Sequence, residues 1–282
     1  MSNPLITLQD FIDFKEFFYK KTGILFEENK RYFVDKRLQE RLAATGTGSV
    51  QSYLRLLRQG GLQSELQHLT NSMTVNETYF FRESYQFDCL VHSMLPEICA
   101  TKHSGDTIRI WSIPASTGEE PYSIVMYLLE YWPSLANYNV EIYASDIDSK
   151  VLTAAQQGIY SERSLQALPL YLLQQYFQRR SDGQYQISAE LRESVHFSLV
   201  NLNDPAQTQS YQHMDVIFCR NLLIYFDDVS RRSAAQTFFN ALNPGGFICL
   251  GHSESMSRIS ALFKIRHFPD AFVYQKPSVG AA

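Results

Sequence analysis

No run in this sequence is long and apolar enough to cross a bilayer. The longest, residues 214–219 and 245–250, fall far short of the roughly 20 residues a spanning helix needs. The opening MSNPLITLQDFIDFKEFF alternates acids with aromatics, where a secretory signal would place a basic stretch before a continuous apolar one, so a cytoplasmic location is expected. Cys89, Cys99, Cys219 and Cys249 form no Cys-x-x-Cys pair, which argues against a disulfide framework or a zinc site. No histidines stand at His-x-x-x-His spacing, and no metal is expected. A dinucleotide fingerprint is missing too: Gly118 stands alone where Gly-x-Gly-x-x-Gly would be needed, which counts against NAD or FAD. Nor is there an excess of positive charge. Lys and Arg number 25 against 29 Asp and Glu, a net of −4, which disfavours a polyanion such as nucleic acid as the main partner. Internal repeats and low-complexity tracts are absent.

With 282 residues, 45% of them hydrophobic, the chain can build one substantial core and a smaller satellite. The first 80 residues carry helical periodicity in Phe11, Phe14, Phe17 and Phe18, then Leu38 and Leu42, then Leu54, Leu57 and Leu62. Turn and cap chemistry at Thr22-Gly23, Thr45–Ser49 and Gly60-Gly61 punctuates them. This predicts an all-helical N-terminal domain over residues 1–75. Between residues 29 and 60, seven Lys and Arg face only Asp35 and Glu40, a local charge of +5 that suggests an acidic partner surface.

From about residue 107 the pattern changes to short β-branched and aromatic runs separated by helical stretches. Strands are predicted at 108–113, 140–145, 195–200, 215–219 and 247–250, with a closing pair at 264–267 and 271–274; helices are predicted at 119–131, 149–157 and 229–242. This alternation implies an α/β fold, a mainly parallel sheet covered on both faces, with at least one antiparallel strand at the end. Residues 160–193 read as a polar insertion containing a hairpin around Arg179–Gly183. Residues 76–282 are then one catalytic domain that includes the insertion.

Ligands of open α/β sheets bind outside the carboxyl ends of the strands. After the first strand comes Pro114–Ser123, which the residues alone leave open as a structural turn or a ligand loop. The second strand ends in Asp146, placed to accept from ribose hydroxyls, and Asp148, better placed to cap the next helix. After the fourth come Arg220, Asn221 and Tyr225; read alone, such a tyrosine is more often a core aromatic with a wet hydroxyl. Residues 71–83 mix polar side chains with aromatics, as either a plain linker or one draped over a pocket.

Together, NETYFFRE at 76–83, ASTGEEPYS at 115–123, ASDID at 144–148, FCRNLLIYFD at 218–227 and GGFICLGHSES at 245–255 resemble the CheR family of chemotaxis receptor methyltransferases, in order and across nearly the whole chain. The resemblance implies a Rossmann-like sheet that binds S-adenosylmethionine and releases S-adenosylhomocysteine. It further implies methylation of glutamate side chains on the cytoplasmic domain of chemotaxis receptors. By the same resemblance Asn76, Thr78 and Arg82 approach the methionine moiety, Glu120 its amino-acid end and Asp146 the ribose. Asn201 and Leu202 border the adenine, and Arg220 and Asn221 close the site. Arg82 and Tyr225 are the candidates for positioning the incoming carboxylate. Lys30, Arg37 and Arg41, within about a 40° arc of one helix, are the candidates for receptor contact.

Two features depart from the family pattern: Ile113-Pro114 stands where small residues are common, and Glu40 and Ala43 replace residues that are often basic. The connection from Gln178 to Gln184 is short beside that of relatives which tether to a peptide at the receptor C-terminus, so no such tethering is expected. A methyltransferase acting on another substrate and a non-catalytic sensor of S-adenosylmethionine or S-adenosylhomocysteine are the competing readings.

Overall fold

The computed structural model describes residues 6–60, 64–269 and 271–278; Gly61 and Leu62, read above as part of a turn and a helix, lie outside the described residues. Helix α1, Leu8–Thr22, starts at a capping box. Thr7 Oγ1 accepts from the Asp10 N–H (3.1 Å) and the Asp10 carboxylate accepts from the Thr7 N–H (3.0 Å). It stops at Gly23, which takes the left-handed conformation at φ +75°. Phe11, Phe14, Phe17 and Phe18 are all buried, as are Val34, Leu38 and Leu42 of α2, Arg31–Thr45, and Leu54 and Leu57 of α3, Val50–Arg58. Each such side chain contributes about 1.5–3 kcal/mol on leaving water.

Helix α4, Glu65–Met73, is tied to α2 and α3 through one buried carboxylate. Glu65 receives Arg41 in a bidentate pair at 2.8 and 2.5 Å and the Tyr53 hydroxyl at 2.5 Å. Burial pushes the Glu65 carboxyl up, but Arg41 and Tyr53 together bring it below the usual range. Arg41 is therefore a brace within the helical domain, a role its place on the helix surface did not reveal. Arg41→Ala is expected to lower unfolding stability by about 2 kcal/mol in urea titration. The deficit should be present near neutral pH and shrink as pH falls through the depressed Glu65 pKa, because a protonated Glu65 no longer needs the guanidinium.

The main sheet has the order β6-β2-β1-β7-β8-β10-β9. Its strands are β1 Thr107–Ser112, β2 Asn139–Asp146, β6 Val195–Leu199, β7 Met214–Cys219, β8 Leu242–Leu250, β9 Lys264–His267 and β10 Phe272–Gln275. All pairings through β8 are parallel, whereas β10 runs antiparallel to both β8 and β9. β8 begins five residues before the predicted start, because Asn243-Pro244-Gly245-Gly246 reads locally as a turn while Leu242 pairs with Met214. The insertion adds a second sheet in the order β3-β5-β4, from β3 Ile159–Tyr160, β4 Phe177–Arg179 and β5 Tyr185–Ile187. The hairpin was expected, but β3 was not, since two residues carry no periodicity.

Two cores flank the main sheet. One joins the N-terminal helices to Trp111, Ile217 and Phe238; the other joins the helix Glu119–Tyr131 and the insertion to Ile110, Phe218 and Phe247. The strand order, though not the strand direction, switches sides at β1, with β2 and then β6 on one side and β7 and then β8 on the other, so the crevice lies at the carboxyl ends of β1 and β7. Among the described residues no helix is long and apolar enough to cross a membrane.

Candidate active site

The linker crossing this crevice is anchored by its aromatics. Phe80 is buried edge-on against Tyr160 (4.7 Å between ring centroids) and Phe177 (5.2 Å), and its N–H donates to the Ser164 carbonyl. The Phe81 N–H donates to Ser123 Oγ at 3.0 Å. Phe81 and Glu83 both adopt left-handed backbone conformations, at φ +60° and +54°, and hold Arg82 between them. Each costs about 1 kcal/mol or more and persists only where the surroundings over-determine it.

Those surroundings centre on Arg220, whose side chain is 3% exposed. Its guanidinium donates to the Arg82 carbonyl at 2.7 Å and pairs with Glu83 (3.1 Å) and Glu120 (3.0 Å), while Ser112 Oγ donates to the other Glu120 oxygen at 2.8 Å. Burial pushes both carboxyls up. Arg220 and His252 reverse this at Glu83, which ends below its usual range; at the more deeply enclosed Glu120 burial wins. His252 Nδ1 lies 3.0 Å from Glu83.

Asn76, Thr78, Arg82, Glu120, Arg220, Asn221 and Tyr225 converge on a polar cavity of about 230 Å³. Asp146, Asn201 and Leu202 line an adjoining, more apolar one of about 430 Å³ with Phe26, Ile113 and Val200. Asn76, Pro114, Asn221 and Tyr225 border both. Every residue assigned to cofactor binding or catalysis thus borders this double cavity, although several have other commitments. Asn76 donates to Asp148 (3.0 Å), which caps the helix Ser149–Gln157 as expected. Asn201 donates to the Lys21 carbonyl (2.6 Å) and accepts from the Asn203 N–H (3.0 Å), which leaves its amide one further donor and one further lone pair. Arg82 has one hydrogen bond, to the Glu77 carbonyl at 3.0 Å, and lies 5.8 Å from the Tyr79 ring centre.

Asp146 is 3% exposed and accepts from the backbone N–H groups of Ser116 (2.7 Å) and Asp148 (2.9 Å). Burial outweighs these donors and raises its carboxyl pKa to about 6. Burial likewise raises the Tyr225 hydroxyl, with Glu77 adding to it, so the phenol stays protonated at neutral pH and available as a donor. Of the three basic residues expected to face a partner, Lys30 is exposed and also borders the apolar cavity. Arg37 stacks on Phe33 (4.7 Å) and donates to the Ser72 carbonyl, and Arg41 is held by Glu65.

The sequence reading assigned no role to three residues that bear on the cavities. Glu83 organises Arg220 from inside the linker motif. Ser116, at φ +48°, borders the polar cavity with its buried Oγ unpartnered among the described residues. Glu254, from the last motif, accepts from the backbone of the 221–225 turn. Motif membership was the only signal for any of them.

A compartment with acids, two arginines and an unsatisfied hydroxyl, opening into an apolar one with a carboxylate at its edge, suits a ligand with a zwitterionic end and a nucleoside end. S-adenosylmethionine is such a molecule. Residues 76–272 match the family described as CheR methyltransferase, SAM binding domain, and residues 9–74 match the CheR methyltransferase, all-alpha domain. Chemotaxis protein methyltransferase 2 of Vibrio cholerae is 52% identical over 280 residues, covering 99% of this chain and 97% of that one. The chemotaxis protein methyltransferase of Escherichia coli is 38% identical over 251 residues, covering 88% and 85%. Chemotaxis protein methyltransferase 1 of Pseudomonas aeruginosa is 32% identical over 272 residues, covering 94% and 97%. With both of its parts matched and its motif residues gathered around one double cavity, the chain belongs to the CheR family of S-adenosylmethionine-dependent methyltransferases.

Proposed function

We propose that this enzyme methylates the γ-carboxylate of specific glutamates on the cytoplasmic domain of chemotaxis receptors, giving glutamate 5-O-methyl esters and S-adenosylhomocysteine. The observation that carries the reading is the pairing of Arg82 and Tyr225 at the polar cavity, with the cofactor residues around and beyond them. The cofactor supplies a methyl group made electrophilic by its sulfonium. A glutamate side chain, with an unperturbed pKa of about 4.3, arrives already ionised, so no general base is required. The protein's task is then orientation and exclusion of water. Arg82 offers a charge-assisted hydrogen bond to the incoming carboxylate and Tyr225 a neutral one. With both donors on one oxygen, the other stays free to attack the methyl group. Arg220 acts behind them, holding the Arg82 backbone and Glu120 in place.

In this reading residues 1–75 face the receptor through Lys30, Arg37 and Arg41, of which Lys30 is the most exposed, and residues 76–282 carry out the transfer from a cytoplasmic location. The short connection between β4 and β5 favours docking without a C-terminal peptide tether. Radiolabelled methyl transfer to receptor-enriched membranes tests the function, with base-labile methanol expected as the product of a carboxyl ester. Label that survives base would exclude glutamate esters, and no label on receptors would favour another substrate.

Asp146 sets a pH dependence for cofactor binding. Its ionised carboxylate accepts hydrogen bonds from ribose hydroxyls, so S-adenosylhomocysteine affinity is expected to fall as pH drops through about 6, where the carboxyl protonates. Asp146→Ala should cost roughly 1–3 kcal/mol of affinity at pH 8 and flatten the profile. Calorimetry from roughly one unit below that pKa to about two above it checks both; unchanged affinity would remove Asp146 from the site.

A further inference from the structure

The last sequence motif, GHSES at 251–255, lines neither cavity, yet two of its side chains reach the site's framework: His252 meets Glu83, and Glu254 meets the turn after β7. Glu254 is 7% exposed, and among the described residues its carboxylate forms no ion pair. It accepts instead from three backbone N–H groups: Asn221 at 2.8 Å, Leu223 at 2.7 Å and Gly251 at 2.8 Å. Two of these belong to the turn that follows β7 and leads into Leu223–Tyr225, so one carboxylate fastens both the start of that turn and its single helical winding.

Asn221 sits at φ +58°, a left-handed conformation that Asn tolerates better than other residues with a side chain, and the two bonds from its turn to Glu254 hold it there. Asn221 borders both compartments of the site. The contact with Glu254 is close enough to require glycine at 251. A Cβ there would stand 2.8 Å from Asn221 Nδ2, 2.9 Å from Glu254 Oε2 and 3.0 Å from Asn221 N. Tyr225, at the far end of the same turn, is held from the other side by the Leu25 N–H donating to its carbonyl at 3.0 Å.

We propose that Glu254 is a positioning residue for methyl transfer, its buried carboxylate setting the Asn221–Tyr225 turn so that the Asn221 amide and the Tyr225 hydroxyl face the cavity. Gly251 is the space that lets it approach. The inference rests on the reading of Asn221 and Tyr225 as site residues, but not on the identity of the methyl acceptor. In Glu254→Gln the shape is kept and one acceptor becomes a donor facing donors, so the turn loses its clamp.

The test is a double-mutant cycle read by calorimetric binding of S-adenosylhomocysteine, which needs no receptor. Glu254→Gln is expected to weaken binding by about tenfold. In an Asn221→Gly background, where the left-handed conformation is free and the positioned amide is gone, the same change should cost less than about threefold. Gly251→Ala, which leaves the carboxylate intact and presses on Asn221, should behave alike and decides the matter if Glu254→Gln does not fold. Equal losses in both backgrounds, or a lowered melting temperature with unaltered affinity, would overturn the proposal and leave Glu254 a structural brace. If parent protein binds S-adenosylhomocysteine and the cycle shows coupling while receptors are not methylated, it is the proposed substrate that fails, and the positioning role stands.

Discussion

Arg220→Ala is expected to lower unfolding stability by about 3–5 kcal/mol and to remove methyl transfer with it. The side chains of Arg220, Glu83 and Glu120 are 3%, 13% and 12% exposed, so solvent cannot replace the guanidinium. Its loss leaves two carboxylates facing each other across the space it filled. The Arg82 carbonyl loses its donor as well. The deficit should grow with pH. In the parent, Arg220 holds Glu83 below its usual range, a contribution present above the unfolded-state pKa and lost as pH falls through the folded one. In the variant both acids are pushed up by burial, and protonating them at low pH relieves the repulsion. Arg220→Lys should rescue little, because one ammonium cannot reach two carboxylates and a carbonyl with the planar fork's geometry. Urea titrations at pH 5 and 8, chosen about the carboxylate range, measure this; a deficit below about 1 kcal/mol at pH 8 would mean that the buried pairs do not organise the linker.

Arg82→Ala should behave in the opposite way: methyl transfer about 100-fold slower or worse, with stability changed by no more than about 0.5 kcal/mol. The difference from Arg220 lies in commitments. Arg82 gives up one hydrogen bond to the Glu77 carbonyl and a ring contact with Tyr79, while its backbone stays held by Arg220 and by the buried phenylalanines on its N-terminal side. Single-turnover rates and S-adenosylhomocysteine titration separate its two candidate roles. A slow chemical step with affinity moved by less than about threefold marks it as a carboxylate-positioning group, and matching losses in both mark it as a cofactor ligand. Tyr225→Phe should be milder, about tenfold, since one neutral hydroxyl is lost. Normal turnover by the Arg82 variant would remove it from the reaction.

Much of the architecture could be read locally. Helix α1 is specified by Thr7, Asp10, Gly23 and four phenylalanines on one face, all within seventeen residues. The strand positions followed from short β-branched runs, and the carboxyl ends of those strands placed Pro114, Asp146 and Asn221 at one end of the sheet before any contact was known. The start of β8 and the whole of β3 escaped because local turn chemistry or sheer shortness masked pairings that only partner strands provide.

The site divides along the same line. Which residues border the cavity was legible, because their motifs lie at strand ends and in the linker that crosses them. The bonds each makes within the protein were not. Arg220, expected at the ligand, also pairs with Glu83 and Glu120 and donates to the Arg82 carbonyl; Arg41, expected to face a receptor, also braces Glu65; Asn201, expected beside the adenine, also donates to the Lys21 carbonyl. Periodicity, caps and motif spacing act between residues a few positions apart, and those the sequence determined by itself. Which charges would be buried together was decided only when the linker closed over the sheet, since residue 220 meets residues 82, 83 and 120 through folding alone and desolvation then obliges them to pair.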